Sequence, residues 1–570
     1  MRVSTSDTVP RSWLALAVLA AALVALLTVA PAVQAQQDPV RTDGNTTVPD
    51  DVVTSSHPDP PEDRLGWENG VWYNATLDVQ QFDGIDDAEL RALTARTMAR
   101  VEYVRGIEFD RTPPVRLISR EQQRAVASSL TNLTETESRA LNVGYEALLL
   151  IGESADATES QEALVSTGVS AYYDPETRNI TMISPTDSGL RIQEAVLAQE
   201  LFHALQDQQF DTSESYETIE DRNAALGVIE GDANYVQYRY EQRCEGAWDG
   251  SCYRPESGSP VLSTQLNYGM VQLFVQPYNS GLAFVRQRQR AGGWDAIDAL
   301  YDRLPESTEQ TIHPARYPDD TPTNLTVADR SSDDWRVLRR NGERVTGSVG
   351  EAGWFVAMAY PAIQTRGDAQ VIPLDAHINY NATTGQLQRP VSYNYSHPIT
   401  TGWDGDTLLP YVPTDSTSNE TAYVFETVWD SPAEAEEFAA GYRDLLAYHG
   451  AERVNGTNDT YRIPADSEFA DAFRIDRDGS RLTIVNAPTV ADLPAVRPEA
   501  PPQTGDPDGN GSTATATATP GGSTPTADAT ATSTEDGTAT ETPGGSGPGF
   551  GLVGAVVAVL AAAAFAVRRR

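Results

Sequence analysis

Residues 496–547 constrain the fold more than any other segment, because almost none of their side chains can enter a hydrophobic core. The segment consists largely of Thr, Ala, Gly, Ser and Pro with scattered acids. Such a composition cannot bury enough apolar surface to offset the entropy that folding removes. We therefore predict an extended stalk here. Residues 36–65 are polar and proline-rich, and we interpret them as a flexible lead, which leaves 66–495 to form the folded part.

The N-terminal end has the pattern of a secretory signal peptide over residues 1–35. Arg2 and Arg11 give a basic start, residues 13–30 are apolar, and Val33-Gln34-Ala35 offers a cleavage site with small residues. An uncleaved membrane anchor is the alternative interpretation. The pattern predicts that the chain is exported.

The C-terminal end combines an apolar helix with a basic tail. Residues 551–567 are apolar throughout, which is just long enough to cross a bilayer, and three arginines follow at 568–570. The arginines favour the cytoplasmic side, so everything upstream is predicted to lie outside the cell. Pro548-Gly549-Phe550 precedes the helix.

This tail over residues 548–570 resembles the PGF-CTERM sorting signal of archaeal surface proteins. The resemblance implies that an archaeosortase-type processing enzyme removes the helix and attaches a lipid. A plain transmembrane anchor is the alternative. Both interpretations place the protein at the outer face of the cell membrane, held by its C-terminus.

The charge of the chain is strongly negative, with 81 acidic and 41 basic residues and a formal net charge of −40. Every basic residue is arginine, since the sequence contains no lysine. An acidic surface of this kind stays hydrated at high salt, which indicates a halophilic source, and we expect a haloarchaeon. The same field repels phosphates, so nucleic-acid binding is excluded from the functions we consider.

Two further features are typical of an exported protein. The two cysteines, Cys244 and Cys252, lie close together, and in an exported chain a short-loop disulfide is the favoured interpretation over a metal pair. Eleven Asn-x-Ser/Thr sequons suit a glycosylated surface protein. These glycosylation candidates are Asn45, Asn74, Asn132, Asn179, Asn324, Asn381, Asn394, Asn419, Asn455, Asn458 and Asn510.

The pattern of apolar residues predicts an α+β fold in two parts. Residues 66–330 are mainly helical with a small sheet, and residues 331–495 form a smaller α+β subdomain. Helices are predicted at 87–105, 189–209, 219–243 and 432–449, with more helix at 120–151 and 265–304. Strands are predicted at 115–118, 169–173, 179–183, 422–428, 461–463, 473–475 and 481–485.

The segment Gln199-Glu200-Leu201-Phe202-His203 carries the candidate chemistry. A zinc peptidase of the HExxH type needs two imidazoles four residues apart on one helix, with a glutamate between them to activate the metal-bound water. Here the glutamate and the second histidine are present, but Gln199 occupies the position of the first. A second predicted helix carries Glu230, at the kind of position from which a gluzincin supplies its third ligand.

The combination resembles a family of secreted, gluzincin-like metallopeptidases. Members carry a His-Glu-x-x-His-Ala-Leu-Gln-Asp-Gln helix followed by a Glu-Gly-Asp-Ala helix, which this chain matches at 199–208 and 230–233 except at Gln199. Further segments resemble the family at 292–294, 305–314, 402–406 and 429–438.

The resemblance implies a gluzincin-like core and assigns roles to three residues. Glu200 would be the general base, and His203 and Glu230 would be zinc ligands. The side-chain oxygen of Gln199 is neutral and a poor ligand for zinc beside imidazole. Asn234 stands where thermolysin-type gluzincins place an acid that orients the first histidine. The resemblance therefore implies zinc as the cofactor, and a site reduced to His203 and Glu230 is expected to bind it much more weakly than a complete one.

Two functions follow from this reading. The first is a degenerate metallopeptidase that has kept the fold and serves as a binding or structural protein at the envelope, with an unknown peptide or envelope partner. The second is an active zinc peptidase that uses Gln199, His313 or a water as the missing ligand.

Overall fold

The structure is a computed structural model that describes residues 40–42, 48, 51–54, 58–80, 84–127, 133–184, 191–210, 212, 216–255, 266–415 and 419–499. The predicted signal peptide, nearly all of the predicted stalk and the predicted sorting signal lie outside these residues. Predictions about the two ends of the chain therefore stay predictions.

The described part is a mixed α+β structure, as predicted, in which helices dominate the first two thirds. The helices are α1 (Asp87–Arg105), α2 (Arg120–Ala127), α3 (Glu135–Ala147), α4 (Ala157–Gly168), α5 (Glu194–Gln209), α6 (Ile219–Arg243), α7 (Tyr268–Gln276), a π-helix (Pro277–Gly281), α8 (Leu282–Gly292), α9 (Asp295–Tyr301), α10 (Thr308–Ile312), α11 (Gly350–Thr365), α12 (Leu374–His377), α13 (Pro432–Tyr448) and α14 (Leu493–Val496).

The strands form two main sheets and two short hairpins. The strands are β1 (Val40–Arg41), β2 (Trp67–Glu68), β3 (Val71–Trp72), β4 (Val115–Ile118), β5 (Ala171–Asp174), β6 (Asn179–Ile183), β7 (Trp335–Val337), β8 (Arg339–Arg340), β9 (Glu343–Arg344), β10 (Trp403–Pro413), β11 (Ala422–Trp429), β12 (Glu452–Arg453), β13 (Thr460–Arg462), β14 (Ala472–Asp478) and β15 (Arg481–Ala487).

The smaller sheet has the order β1-β4-β6-β5, in which β4 and β6 are parallel and β5 is an antiparallel edge strand. The larger sheet is antiparallel, with the order β12-β13-β14-β15-β11-β10-β7. The hairpin of β5 and β6 is the one that the sequence predicts around residues 174–177. It places the edge strand β5, whose second edge has no strand partner among the described residues, next to α5.

Local sequence explains why the helices begin and end where they do. Asp86 caps α1 and forms a capping box with Glu89, and Gly106 ends the helix with a φ of 83°. Thr218 caps α6 by accepting from the backbone N–H of Asp221. Helix α5 begins at Glu194, later than the predicted residue 189, and the Glu194 carboxylate is bound by two arginines of α1.

Part of the segment interpreted as a flexible lead is ordered. Val40 and Arg41 pair with β4 through Leu117 and Arg116. Next to them, Thr42 exchanges hydrogen bonds with the backbone of Val115. The reason is that β4 would otherwise present an unpaired edge, which a short extended segment can satisfy.

Helix α11 is buried around its whole circumference and connects the helical region to the larger sheet. Trp354 packs edge-on against Phe425 of β11 and Phe438 of α13, with ring centroids 4.8 Å apart in each case. On the other side, the backbone N–H of Ala352 donates to Thr308 Oγ1 at 3.1 Å. One hydrophobic cluster therefore runs from α3 and α7 through α11 into the sheet.

No helix within the described residues is both long and apolar enough to span a bilayer. The apolar helix predicted at 551–567 lies outside them.

Candidate functional site

Glu200 and His203 lie three positions apart on α5, a spacing that places both side chains on one face of the helix. Both are buried. This face of α5 lies against the edge strand β5, where the backbone of Tyr173 hydrogen-bonds the Glu200 carboxylate. The structure therefore brings the predicted base and the predicted histidine ligand to the same place.

Glu230 reaches the same place from α6, which packs against α5. Its side chain is fully buried, and its Oε2 lies 3.3 Å from Nε2 of His203. The other carboxylate oxygen, Oε1, accepts a hydrogen bond from the hydroxyl of Tyr278 at 2.8 Å. Among the described residues, Oε2 has no partner other than His203. The three predicted residues thus form one cluster, which Tyr278 extends.

Tyr278 reaches Glu230 because the backbones of α6 and the π-helix come unusually close together. A Cβ at Gly231 would lie 2.5 Å from the carbonyl carbon of Gly281, and a Cβ at Gly281 would lie 2.2 Å from the carbonyl oxygen of Gly227. Only glycine at these positions permits this approach. The close approach of the two backbones at Gly231, next to Glu230, therefore brings Tyr278 within hydrogen-bond distance of Glu230.

A series of buried hydrogen bonds determines that Nδ1 of His203, the nitrogen facing away from Glu230, is a donor. Tyr301 donates to Asp232 Oδ2 at 3.0 Å, so its oxygen is free to accept from Gln206 Nε2 at 2.6 Å. The same Gln206 nitrogen also donates to the carbonyl of Ile229 at 2.9 Å. Gln206 Oε1 is consequently the acceptor that faces His203 Nδ1 at 2.8 Å.

This direction of hydrogen bonding places a proton on Nδ1 of His203 and leaves Nε2 facing Glu230. Asp232 is the last member of this hydrogen-bond series, and it forms an ion pair with Arg105, whose guanidinium lies 3.2 Å from Oδ2. Arg105 in turn stacks 4.5 Å above the ring of Trp294. The imidazole is therefore oriented by a polar network that is anchored in the core.

The electrostatics of the cluster follow from burial and from the unequal number of acids and bases. Burial raises the pKa of Glu200 to about 7, the net result after His203 has opposed the rise and Glu230 has added to it. Burial lowers the pKa of His203, but the carboxylates of Glu230 and Glu200 outweigh burial and raise it to about 9. Burial and Glu230 together hold the pKa of Tyr278 well above its usual value.

The zinc expected from the family resemblance can be tested against the donors that are present. Among the residues that the structure describes, no three His, Cys, Asp or Glu side chains are placed to hold one metal ion. Gln199 is half-buried. Within the described residues it forms no hydrogen bond with His203 or Glu230. One imidazole and one carboxylate do not fit a tightly held catalytic zinc, which takes three protein ligands.

Two other residues from the sequence argument lie in places that do not complete the site. Asn234 donates from Nδ2 to the backbone carbonyl of Glu230 at 3.0 Å, so it braces the helix rather than a ligand side chain. His313 lies 2.9 Å from Glu351 of α11 through its Nε2. His313 is thus paired with an acid outside the cluster.

The predicted disulfide between Cys244 and Cys252 is present. It closes a loop beside a buried ion cluster in which Arg96 and Arg100 bind Glu194 at 3.0 and 2.8 Å. Arg100 also lies 3.3 Å from Cys252 Sγ. The loop therefore stabilises the start of α5, the helix that carries Glu200 and His203.

The glycosylation candidates differ in exposure. Asn324, Asn381, Asn419, Asn455 and Asn458 are exposed, and Asn74, Asn179 and Asn394 are half-buried. Asn45, Asn132 and Asn510 lie outside the described residues. Asn394 uses its amide nitrogen to donate to the carbonyls of Ala376 and Ser396 at 3.0 and 2.9 Å.

Three residues of the site, Tyr278, Tyr301 and Arg105, have no role that the sequence predicts. Gln206 lies in the segment 199–208 and Asp232 in the segment 230–233, both of which resemble the peptidase family. Polar residues at buried positions of two helices could have indicated that they have a role in the site. The two tyrosines and the arginine come from segments with no such motif, and only the tertiary structure brings them to the site.

One comparison with known proteins gives a match. Residues 335–497 match a domain of unknown function, DUF8575. The match begins and ends close to the predicted subdomain at 331–495, and it covers a minority of the chain. No curated protein and no solved structure matches the chain.

Proposed function

We propose that this protein is a metallopeptidase-like protein of the cell surface that has lost tight zinc binding and serves as a binding or structural component of the envelope. The observation that supports this proposal is the donor set. His203 and Glu230 face each other at 3.3 Å, while Gln199 supplies a neutral amide where a peptidase of this type needs imidazole.

The chemistry of Glu200 supports the same proposal. A carboxylate base in a zinc peptidase acts on a water that the metal has made acidic. Without the metal, the pKa of water stays far above that of Glu200, which burial raises only to about 7. Glu200 alone therefore supplies little driving force for peptide hydrolysis.

A second candidate is a zinc-dependent peptidase with an atypical site, and one observation favours it. Glu230 Oε2 faces His203 Nε2 at 3.3 Å and accepts no other hydrogen bond among the described residues. Two ligands on a tetrahedral zinc at 2.0–2.1 Å are separated by about 3.3 Å. The pair is spaced as two ligands would be, with the remaining protein ligand missing.

Metal analysis of the full-length protein, purified in high salt, separates the two candidates. We expect substoichiometric zinc and no peptide hydrolysis in the native protein. Gln199→His should raise zinc affinity by more than about 100-fold, since even outer-shell partners change it by 10–100-fold. Stoichiometric zinc that is lost in His203→Ala, with hydrolysis that Glu200→Gln abolishes, would establish the active peptidase instead.

The proposed location at the outer face of the membrane rests on the sequence of the two ends. Processing predicts a mature N-terminus near Gln36 and, if the PGF-CTERM resemblance holds, loss of the helix at 551–567 with a lipid in its place. The mass of the protein extracted from membranes distinguishes a lipid anchor from a retained helix. Recovery of the unprocessed chain from the cytoplasm would contradict the proposed location.

A further inference from the structure

Two exposed hydrophobic side chains lie close together on the surface where α1 meets the segment before β2. Among the described residues, Leu65 and Tyr103 are the large hydrophobic side chains that lie exposed, at 45% and 49%. Leu65 precedes Gly66, whose backbone N–H donates to Glu102 at 2.9 Å, and Tyr103 follows Glu102 on α1. Single exposed hydrophobic residues need no explanation, whereas a group of them is typical of an interaction surface.

The ring of Tyr73 connects these two side chains. A Cβ at Gly66 would lie 3.0 Å from Cδ1 of Tyr73. Tyr73 also stacks on Tyr103, with ring centroids 4.1 Å apart and planes inclined by 13°. Burial, followed by Tyr103 and then by the exposed Asp249, raises the pKa of Tyr73, so one acid lies beside the rings. Leu65, Tyr73 and Tyr103 form one surface, which we call the tyrosine patch.

Two arginines of α6 form a basic end of the tyrosine patch. The guanidinium of Arg243 lies 5.9 Å from the ring centroid of Tyr103 and donates to the carbonyl of Arg239 at 3.2 Å. Arg239 donates to the hydroxyl of Tyr235 at 3.1 Å. Neither arginine forms an ion pair with a carboxylate in the part of the chain that the structure describes. Like charges four residues apart on a helix repel, and this pair is left uncompensated in a chain with a net charge of −40.

The segment before Leu65 forms an acidic end on the other side of the patch. Asp59, Glu62 and Asp63 are exposed here, and Arg64 is the cation among them. The surface thus changes from acidic, through hydrophobic and aromatic, to basic as one moves from this segment to the arginines of α6.

We propose that the tyrosine patch is the interface of a symmetric homodimer. A twofold axis that passes through the tyrosines places the hydrophobic centre of one protomer on that of its partner. The same axis places the acidic end of each protomer against the basic end of the other. An isologous interface requires a surface that is self-complementary in this way.

A second copy of the chain fits this surface better than an unrelated acidic partner. Such a partner would compensate the arginines but would meet like charge at the acidic end, and like charges across an interface are costly. The residue types also suit a protein interface, since tyrosine and arginine are enriched among the side chains that contribute most to association. The interface is independent of the metal-site residues.

Chemical cross-linking of the full-length protein in membranes tests the contact directly. Both native cysteines are held in the disulfide between Cys244 and Cys252, so an introduced cysteine supplies the one reactive thiol. With a short bismaleimide, Leu65→Cys should give a product of twice the mass of the chain, because the two copies of residue 65 lie at one interface. The exposed Glu452→Cys on β12 is the matched control and should give none. A product that joins Leu65→Cys to a different protein would overturn the proposal.

Sedimentation of the purified full-length protein tests the arrangement of charges, at the lowest salt that keeps it folded because salt screens ion pairs. Arg243→Glu and Asp63→Arg should each weaken the dimer at least about tenfold, since symmetry makes every substitution change two contacts and like charges then face each other. The double variant carries the charges exchanged and should recover the native affinity to within about threefold. Failure of the double variant to bind more tightly than either single variant would contradict the symmetric arrangement.

Tyr103→Ala tests the hydrophobic centre and should also weaken the dimer at least about tenfold, as removal of a central tyrosine does in other interfaces. Circular dichroism shows that each variant is folded, which the exposure of Tyr103 and Asp63 favours. A native protein that remains monomeric at about 100 µM, above the range expected for specific interfaces, would overturn the proposal.

Discussion

At the scale of single residues, the orientation of His203 depends on groups outside the cluster of Glu200, His203 and Glu230. Tyr301 is the central member of the chain that orients His203, because it donates to Asp232 and accepts from Gln206. Its ring also stacks on Phe210 with centroids 4.0 Å apart. The hydroxyl therefore has a role that can be separated from the ring.

Tyr301→Phe removes both hydrogen bonds and keeps the stacking. We expect the free energy of unfolding to fall by about 1–3 kcal/mol, because Gln206 and Asp232 each lose a partner in a buried setting. Gln199→Ala is the control and should change stability by less than about 0.5 kcal/mol, since Gln199 is half-buried and outside the network. Denaturant unfolding of both variants measures the difference, and equal losses would contradict the network.

Asn394 lies in a sequon, but its side-chain amide nitrogen already donates two hydrogen bonds within the protein. Both of its N–H groups donate to backbone carbonyls, at Ala376 and Ser396. An N-linked glycan replaces one of these hydrogens and breaks a bond that holds the local chain. We expect glycopeptide mass spectrometry to find Asn394 unmodified, even where the exposed Asn324 or Asn381 is occupied. An occupied Asn394 in the folded protein would contradict this geometry.

Three members of the site, Glu200, His203 and Glu230, could be predicted from the sequence, whereas Tyr278 could not. Glu200 and His203 share a helix face by spacing alone, and Glu230 follows from the resemblance. Tyr278 could not be predicted, because it reaches Glu230 from a π-helix whose extra residue per turn changes the direction of every side chain that follows. No spacing of residues in the sequence predicts where a π-helix changes the direction of the side chains.

At the scale of elements, the crossing of α6 and the π-helix holds the site together. Gly231→Ala would drive a Cβ to 2.5 Å from the backbone of Gly281, where no flexible side chain can yield. We expect a loss of about 1–3 kcal/mol in the free energy of unfolding. The matched control is Gly144→Ala, in which the new Cβ meets nothing closer than 3.9 Å and stability should rise by up to about 1 kcal/mol. A similar response of both variants would refute the close crossing.

The elements predicted best are those whose ends are set locally. Helix α6 was predicted at residues 219–243 and is found at Ile219–Arg243, because Thr218 caps it. Helix α5 begins at Glu194 instead of residue 189, and strand β1 was missed within the lead. A tertiary partner accompanies each of these two differences, arginines of α1 in one case and strand β4 in the other, and a single sequence does not show such partners.

At the scale of the whole molecule, buried acids lie where α3 meets the larger sheet. Burial, followed by Glu153, raises the pKa of Glu146 to about 8. Burial and the same Glu153 hold the pKa of Asp471 well above its usual range. Thr421 donates to Glu146 at 3.2 Å and Asn486 donates to Asp471 at 2.6 Å, and Glu420 adds a further negative charge nearby.

These acids predict a pH dependence of stability. A carboxyl whose pKa is higher in the folded than in the unfolded state stabilises the fold below its unfolded pKa, and this contribution is lost as the pH rises through the folded pKa. Stability should therefore fall between about pH 4.5 and 8, from the ordinary pKa of a glutamate to the folded pKa of Glu146, and this group adds no further fall at higher pH. Glu146→Gln should flatten this fall and the exposed Glu452→Gln should not. Thermal unfolding across the range measures both, and parallel curves would contradict the assignment.

The matched domain shares its hydrophobic core with the rest of the chain. Helix α11 lies within the matched segment, yet it packs both against Phe425 and Phe438 and against the helical region. There, a Cβ at Gly269 of α7 would lie only 3.1 Å from the ring of Tyr360. A fragment of residues 335–497 would expose the second of these faces to water, and large apolar surfaces of this kind drive association. We expect the fragment alone to aggregate or to unfold without cooperativity, whereas the full-length chain unfolds in one transition through this region. Circular dichroism and calorimetry of both test this expectation, and a monomeric fragment that melts cooperatively would show that the two parts fold independently.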